Sequence, residues 1–336
     1  MNFGFSFYPW FKLGVWLLLA FWVSRKIKPQ WAFGFLAVYG TTQALIGLGQ
    51  FFLQQDLGLQ FLGESILSPL NRDVARTFIE GGRLLRAYGT FPHPNILAAF
   101  LVLSLLSLYY FFIVTGRFNF LKLRNTWEVE LICLIFINWL GLLLTFSRAG
   151  WLIGVLSTVF FLSWRCFNNF AIAELLKLIF VSFLIIFILI LIFHWAVFPR
   201  AEFYDYFSIQ NRLSDYQYAW QKIKDKPFFG HGLTLAMGER PIHNLYFTIA
   251  VEVGLVGLSL FLIFIFYALI LNLKFVIQNF SLEKSTLLVM FIALLALGLF
   301  DHFLWTLRPG LAMFWLVVGL LLSVHGSTDR TQASEA

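Results

Sequence analysis

The chain has 336 residues, with 24 Lys and Arg against 17 Asp and Glu and a formal charge of +7. Apolar residues make up 60% and charged ones 12%, where a soluble domain carries roughly 25% charged residues, and the mean hydropathy is +0.81. This excludes a soluble enzyme, for want of polar surface, and a disordered chain, which needs low hydrophobicity; a polytopic helical membrane protein remains, for which a pI of about 9.4 is no argument for nucleic acid.

A span needs about 20 mostly apolar residues. About nine runs qualify, at roughly 5–23, 31–53, 95–114, 128–146, 149–164, 172–198, 254–273, 285–304 and 310–325. The first lacks a basic leader and a small-residue cleavage site, so it is taken as a span and not as a signal peptide. The runs are continuous, not alternating, which excludes lipid-facing strands. The expected fold is all-α: a polytopic membrane helix bundle, one membrane domain over 1–336, with two long extracytoplasmic loops at about 54–94 and 199–243.

Short basic links follow spans one, three, five and seven: Arg25, Lys26 and Lys28; Arg117, Lys122 and Arg124; Arg165; Lys274 and Lys284. The positive-inside rule makes them cytoplasmic, with the amino terminus outside and the tail from Gly326 inside. Both long loops then face outward, although they hold ten Lys or Arg and nine Asp or Glu between them. Their basic residues need a reason other than topology. Cys133 and Cys166 offer neither metal-ligand spacing nor a disulfide framework, and no internal repeat is visible.

Loop one ends with Arg83, Arg86 and Gly89-Thr90-Phe91-Pro92-His93-Pro94-Asn95. Spans four and five are joined by Thr145-Phe146-Ser147-Arg148-Ala149-Gly150, which puts an arginine at a helix junction near the outer surface. Charges at such depth face a partner or a water-filled cavity. Loop two carries Asn211-Arg212-Leu213, Trp220, Pro227-Phe228-Phe229-Gly230-His231-Gly232 and His243-Asn244, followed by Gly254 and Gly257. From Arg212 to Lys226 the spacing predicts a short amphipathic helix with Leu213, Tyr216, Trp220 and Ile223 on one face. Gly230 and Gly232 bracket a turn. Together these residues suggest a cationic pocket beside an imidazole. Arginine presents a planar fork of donors to phosphate oxygens, and histidine can take a proton near neutral pH. No paired-acid motif lies on the outer face, so a divalent-metal site is not favoured.

The ordered set of Ser147-Arg148-Ala149-Gly150, Arg212 with Pro227 to Gly232, and His243-Asn244 with Gly254 and Gly257 resembles the O-antigen ligase/polymerase family of bacterial envelope glycan enzymes. Gly89 to Asn95 followed by Ile96-Leu97-Ala98 is similar to a further segment of that family. The resemblance runs from about residue 83 to 325. It implies a bundle of membrane helices with a large outer loop, in the bacterial inner membrane, active on the extracytoplasmic side. It implies transfer of a glycan from a polyprenyl-diphosphate-linked donor to a hydroxyl of a lipid or glycan acceptor, without metal or other cofactor. His243 would be the base and Arg148 and Arg212 the diphosphate ligands, with Arg86, His93, His231 and Asn244 as candidate substrate contacts. Family members carry more spans than are read here, so the chain is expected to be a short variant or to lack amino-terminal helices.

Blander readings stand beside each of these. His243 could be an interfacial or capping residue, Arg148 a snorkelling side chain, Arg212 the surface partner of Asp215, Arg83 and Arg86 solvated loop charges, and His93 part of a rigid turn. Asp301-His302 reads as a hydrogen-bonded interfacial pair, and His194 and His325 as span ends. Glu252, nine residues after His243, falls on the opposite face of a continuous helix and is a poor orienter of it. Two further function classes are open: a transporter, favoured by Arg148, Glu252 and the glycine pairs but not by any inverted repeat, and a zinc site from His93, His231, His243 and His302, which lacks short ligand spacing. Ligase and polymerase use the same chemistry.

Overall fold

A computed structural model describes residues 7–71, 74–79, 82–115, 126–166, 202–233 and 241–334. The expected span at 172–198 lies outside the described residues. The chain divides into two compact units: a central one, Gln30–Ala201, and a terminal one formed by Met1–Pro29 with Glu202–Ala336.

The central unit contains α2 (Pro29–Leu53), a 3-10 turn (Gln60–Leu62), strands β1 (Arg76–Ile79) and β2 (Gly82–Leu85), α3 (Pro94–Thr115), α4 (Thr126–Leu144) and α5 (Arg148–Cys166). Helix α3 is apolar all round and buried along nearly its whole length, the mark of a bundle's central helix. Small residues let its neighbours approach. A Cβ on Gly141 of α4 would lie 2.7 Å from Cβ of Ala44 in α2. Inside this apolar packing, polar groups pair with one another, as helices in lipid require: Asn138 Nδ2 donates to Thr41 Oγ1 (2.8 Å) and Trp139 Nε1 to Tyr109 Oη (2.8 Å).

The loop expected at 54–94 carries local structure. The strands pair antiparallel, Arg76 opposite Leu85 and Ile79 opposite Gly82, so a small hairpin is added to the all-α expectation. Leu67, Leu85 and Tyr88 form a separate apolar cluster beneath it. Buried Glu64 accepts the Leu57 and Leu59 N–H groups and Gln50 Nε2. From within α2, Gln50 also binds the backbone of Tyr88 and Gly89, and Gln43 that of Thr90. Gly89 has φ +60°, a conformation that suits a residue without Cβ.

The terminal unit contains α1 (Phe7–Lys26), α6 (Glu202–Asp225), α7 (Leu245–Asn279), α8 (Leu282–Leu297), α9 (Phe303–Thr306) and α10 (Arg308–Ser334). Helices α1 and α10 pack closely where Gly319 faces Ala20 and Val23. Helices α2, α3 and α7 are long and apolar enough to cross a membrane, and shorter apolar stretches cover Val129–Leu144, Arg148–Ser163 and Arg308–Ser323.

Three expectations need correction. The amphipathic helix of loop two starts ten residues earlier, at Glu202, and buries a different stripe. Asp215, Ala219 and Ile223, at i, i+4 and i+8, face inward while Leu213 and Trp220 stay exposed. The apolar run placed at 254–273 is the lower part of a longer helix, because Leu245 to Val253 are apolar enough to extend it upward. Lys284, counted among the basic link residues, is fully buried, with its ammonium against the Phe275 ring.

Candidate active site

Helix α7 is 35 residues long, about 52 Å at 1.5 Å per residue, and is broken at Gly254, whose φ of 75° and ψ of −179° are not helical. A break frees backbone groups that must be satisfied elsewhere. The turn after α6 does this. His231 and Gly232 donate N–H to the carbonyls of Val251 (2.9 Å) and Glu252 (2.8 Å), and Leu255 and Val256 donate to Pro227 (2.8 Å) and Phe228 (3.3 Å). Gly254 and Gly230 make the contact possible. A Cβ on Gly230 would lie 2.5 Å from the Glu252 carbonyl oxygen, and one on Gly254 would collide with the Phe228 carbonyl.

This stitching lays α6 along the first turns of α7. Ala219 and Ile223 pack on Ile242, Ala250 and Val251, and the Tyr216 and Phe247 rings sit 5.2 Å apart. One turn before Ala219, the same stripe delivers Asp215 to His243, with Oδ2 2.9 Å from Nδ1. Asp215 is 4% exposed at its side chain and His243 44%. An ionised carboxylate only accepts, so Nδ1 carries the proton and donates, and Nε2, on the opposite edge of the ring, keeps its lone pair.

The link between α8 and α9 closes the other side. Carbonyls just past a helix end lack intrahelical partners, and three in succession are taken up by residues around His243. Leu245 N–H binds Gly298 O (2.7 Å), Asn244 Nδ2 binds Leu299 O (2.9 Å) and Arg212 Nη1 binds Phe300 O (3.2 Å). Asn244 also caps α7 by accepting from Tyr246 and Phe247 N–H. The link ends at His302, whose ring meets that of His243 edge-on at 5.9 Å. His302 Nδ1 is 2.7 Å from Thr306 Oγ1, and its N–H donates to Asp301 Oδ1 (2.7 Å). Burial holds the His302 ring below the ordinary imidazole value, partly offset by the Asp301 carboxylate.

Thus His243, Arg212 and Asn244 meet in the terminal unit. His231 has a structural task, its Nε2 donating to Lys222 O at the end of α6 (2.9 Å). Glu252 accepts from Trp305 Nε1 (2.8 Å), away from His243. In the central unit, Arg86 ties loop one to the α4–α5 turn: Nε donates to Thr145 O (2.6 Å) and Nη2 to Asn95 Oδ1 (3.1 Å). His93 precedes the helix-starting Pro94, and its Nδ1 accepts the Asn95 N–H (3.1 Å). Arg148 opens α5 and is exposed, at a helix amino terminus where backbone N–H groups favour an anion. Among the described residues, no group of three or more His, Cys, Asp or Glu side chains could hold a metal ion.

Residues 132–262 match the O-antigen ligase family model. The chain carries an O-antigen ligase family domain. That segment is similar to O-antigen ligase-type proteins, and the chain has helices long and apolar enough to cross a membrane. The O-antigen ligase segment takes in Arg148, Arg212, Asp215, His231, His243, Asn244 and the broken helix as far as residue 262. No curated protein matches the chain.

Asp215 was missed as the partner of His243, since 28 residues separate them and the near neighbour Arg212 offered an obvious salt bridge. The signal was there in the stripe Asp215–Ala219–Ile223. A carboxylate at the head of a small, apolar stripe is buried, and buried carboxylates need a partner.

Proposed function

We propose that the protein transfers a glycan from a polyprenyl-diphosphate-linked donor to an acceptor hydroxyl at the extracytoplasmic face of the bacterial inner membrane. The observation that carries this is the Asp215–His243 pair, a buried carboxylate on Nδ1 that leaves Nε2 of a half-exposed ring as the base. The acceptor O–H gives its proton to His243 Nε2 as its oxygen attacks the anomeric carbon. The bond from that carbon to the phosphate oxygen breaks, and the polyprenyl diphosphate leaves with the bonding pair. Direct attack inverts the anomeric centre. The proton passes from His243 to solvent when the product departs.

The leaving group gains negative charge, and guanidinium groups answer it without proton transfer. Arg148 and Arg212 are the proposed diphosphate ligands. Arg212 uses one nitrogen on Phe300 O and has five N–H donors in all. Arg86, engaged with Thr145 and Asn95, acts by fixing the turn that leads into Arg148. These cations supply the charge that a metal would otherwise bring, so transfer is expected to survive chelation. Ligation to an envelope lipid and polymerisation onto a second carrier-linked repeat use this same chemistry.

The test is His243→Ala in purified protein with a lipid-diphosphate-linked glycan. Transfer should fall by at least about 100-fold while donor binding, read by co-purified carrier lipid, persists. Retained turnover refutes the base role. Loss of donor binding together with turnover refutes the division of labour between histidine and arginines.

A further inference from the structure

The turn Pro227 to Gly232 is bonded to the break in α7, and that bonding fixes its depth. Below the break, Leu255, Val256, Leu260 and Ile263 are exposed along α7, an apolar surface that lipid must cover. A helix about 52 Å long exceeds the roughly 30 Å hydrocarbon core. The stretch from Gly254 to the basic Lys274 is, at about 30 Å, the part that fits. Phe228 accepts from Val256 N–H at the start of that stretch. Yet Phe228 and Phe229 are 67% and 80% exposed, and Trp220, near the end of α6, is 54% exposed.

Charge accompanies the apolar tip. Lys222, Lys224 and Lys226 outnumber Asp225 there. Lys224 Nζ lies 5.5 Å from the Trp220 ring centroid and Lys222 Nζ 5.4 Å from that of Tyr218. Aromatic rings flanked by lysine stems are the residues that settle at a membrane–water interface, with rings among the acyl ends and ammonium groups at phosphates.

We propose that Trp220, Phe228 and Phe229 form a wedge inserted into the bilayer surface beside α7, with Lys224 and Lys226 bound to anionic lipid headgroups. The wedge anchors the carboxyl-terminal end of α6, the same helix that carries Asp215 five residues before Trp220. The inference rests on α7 as a membrane span and is independent of the catalytic role of His243.

The full chain in phosphatidylglycerol-containing nanodiscs tests it. A nitroxide at Phe229→Cys, on a Cys133→Ser/Cys166→Ser background, should be more accessible to oxygen than to a water-soluble nickel complex. One at Gln210→Cys, exposed and about 22 Å back along α6, should show the reverse. Equal nickel access at the two sites, or a Phe229 label shielded from both reagents, overturns the proposal. Benzoyl-phenylalanine in place of Phe229, with both cysteines retained, should yield a phospholipid adduct; a crosslink to a second copy instead, or none, overturns it. Lys224→Gln and Lys226→Gln should each lower the adduct yield with anionic lipid about fivefold relative to phosphatidylcholine. An unchanged ratio overturns the headgroup contact.

Discussion

Asp215→Asn isolates what the carboxylate does for His243. The pair is 2.9 Å apart, with the carboxylate almost fully buried and the imidazole half exposed. Two unit charges 4 Å apart interact by about 4 kcal/mol at an effective dielectric of 20. Halving that for the exposed ring leaves about 2 kcal/mol for the imidazolium formed in the transition state, or roughly 30-fold in rate. An asparagine also turns either an oxygen or an NH2 toward Nδ1, so the tautomer with a basic Nε2 is no longer enforced. An aspartate that orients a catalytic histidine can cost about 10⁴ in kcat when made asparagine, and half exposure of His243 places the expected loss between the two, at about 10²–10³. The loss should fall on kcat, with KM for the donor nearly unchanged, and Asp215→Glu should recover part of it. Steady-state transfer in detergent measures both. The decisive comparison is in the His243→Ala background, where Asp215→Asn should cost nothing further, because the carboxylate acts only through the ring. A wild-type kcat in Asp215→Asn, or a full additional loss in the double variant, refutes the pairing as a catalytic device.

Gly254→Ala puts a Cβ into the Phe228 carbonyl at a φ of 75°, so it should destabilise the terminal unit by about 2–4 kcal/mol, read as a lowered Tm in detergent. His302, held below the ordinary imidazole value in the fold, takes up a proton more readily when unfolded; stability should fall as pH drops below about 6.5, and His302→Gln should lose less Tm between neutral and mildly acidic pH than wild type. Lys284 is fully buried with its ammonium unpartnered by hydrogen bonds among the described residues, so Lys284→Met, similar in volume and uncharged, should raise stability by about 1–4 kcal/mol. An unchanged or lowered Tm would mean that the Phe275 ring compensates the charge in full.

The parts of the fold set by local apolar content were legible along the chain. The runs at 31–53 and 95–114 coincide with α2 and α3 to within two residues, since nothing but hydropathy and the flanking Pro29 and Pro94 decides them. Boundaries failed where a second constraint competes with hydropathy. At Gly254 the glycine suggested a start, but the apolar residues before it extend the helix, and the glycine serves a break stabilised by a turn 22–27 residues upstream. That information is tertiary. Gln43 and Gln50 show an overlooked signal of another kind. Two glutamines seven residues apart share a helix face, and in an apolar run that face must meet polar backbone, here of Tyr88 to Thr90.

The same distinction applies to the candidate site. His243 stood out through its motif with Asn244, Gly254 and Gly257, whereas its environment is built by residues that composition does not single out. Asp215 comes from 28 positions before it and His302 from 59 positions after it. Leu245, Asn244 and Arg212 around it are held by backbone carbonyls, Gly298 to Phe300, whose side chains carry no chemistry at all. Arg212 makes a contact that its spacing along the chain does not reveal. Its three-residue spacing to Asp215 suggested a surface ion pair, yet the guanidinium reaches the link before His302. The guanidinium is thus held by the same link that ends at His302, whose ring meets that of His243, so in the proposed mechanism one short backbone segment positions both the cation offered to the leaving group and the surroundings of the base.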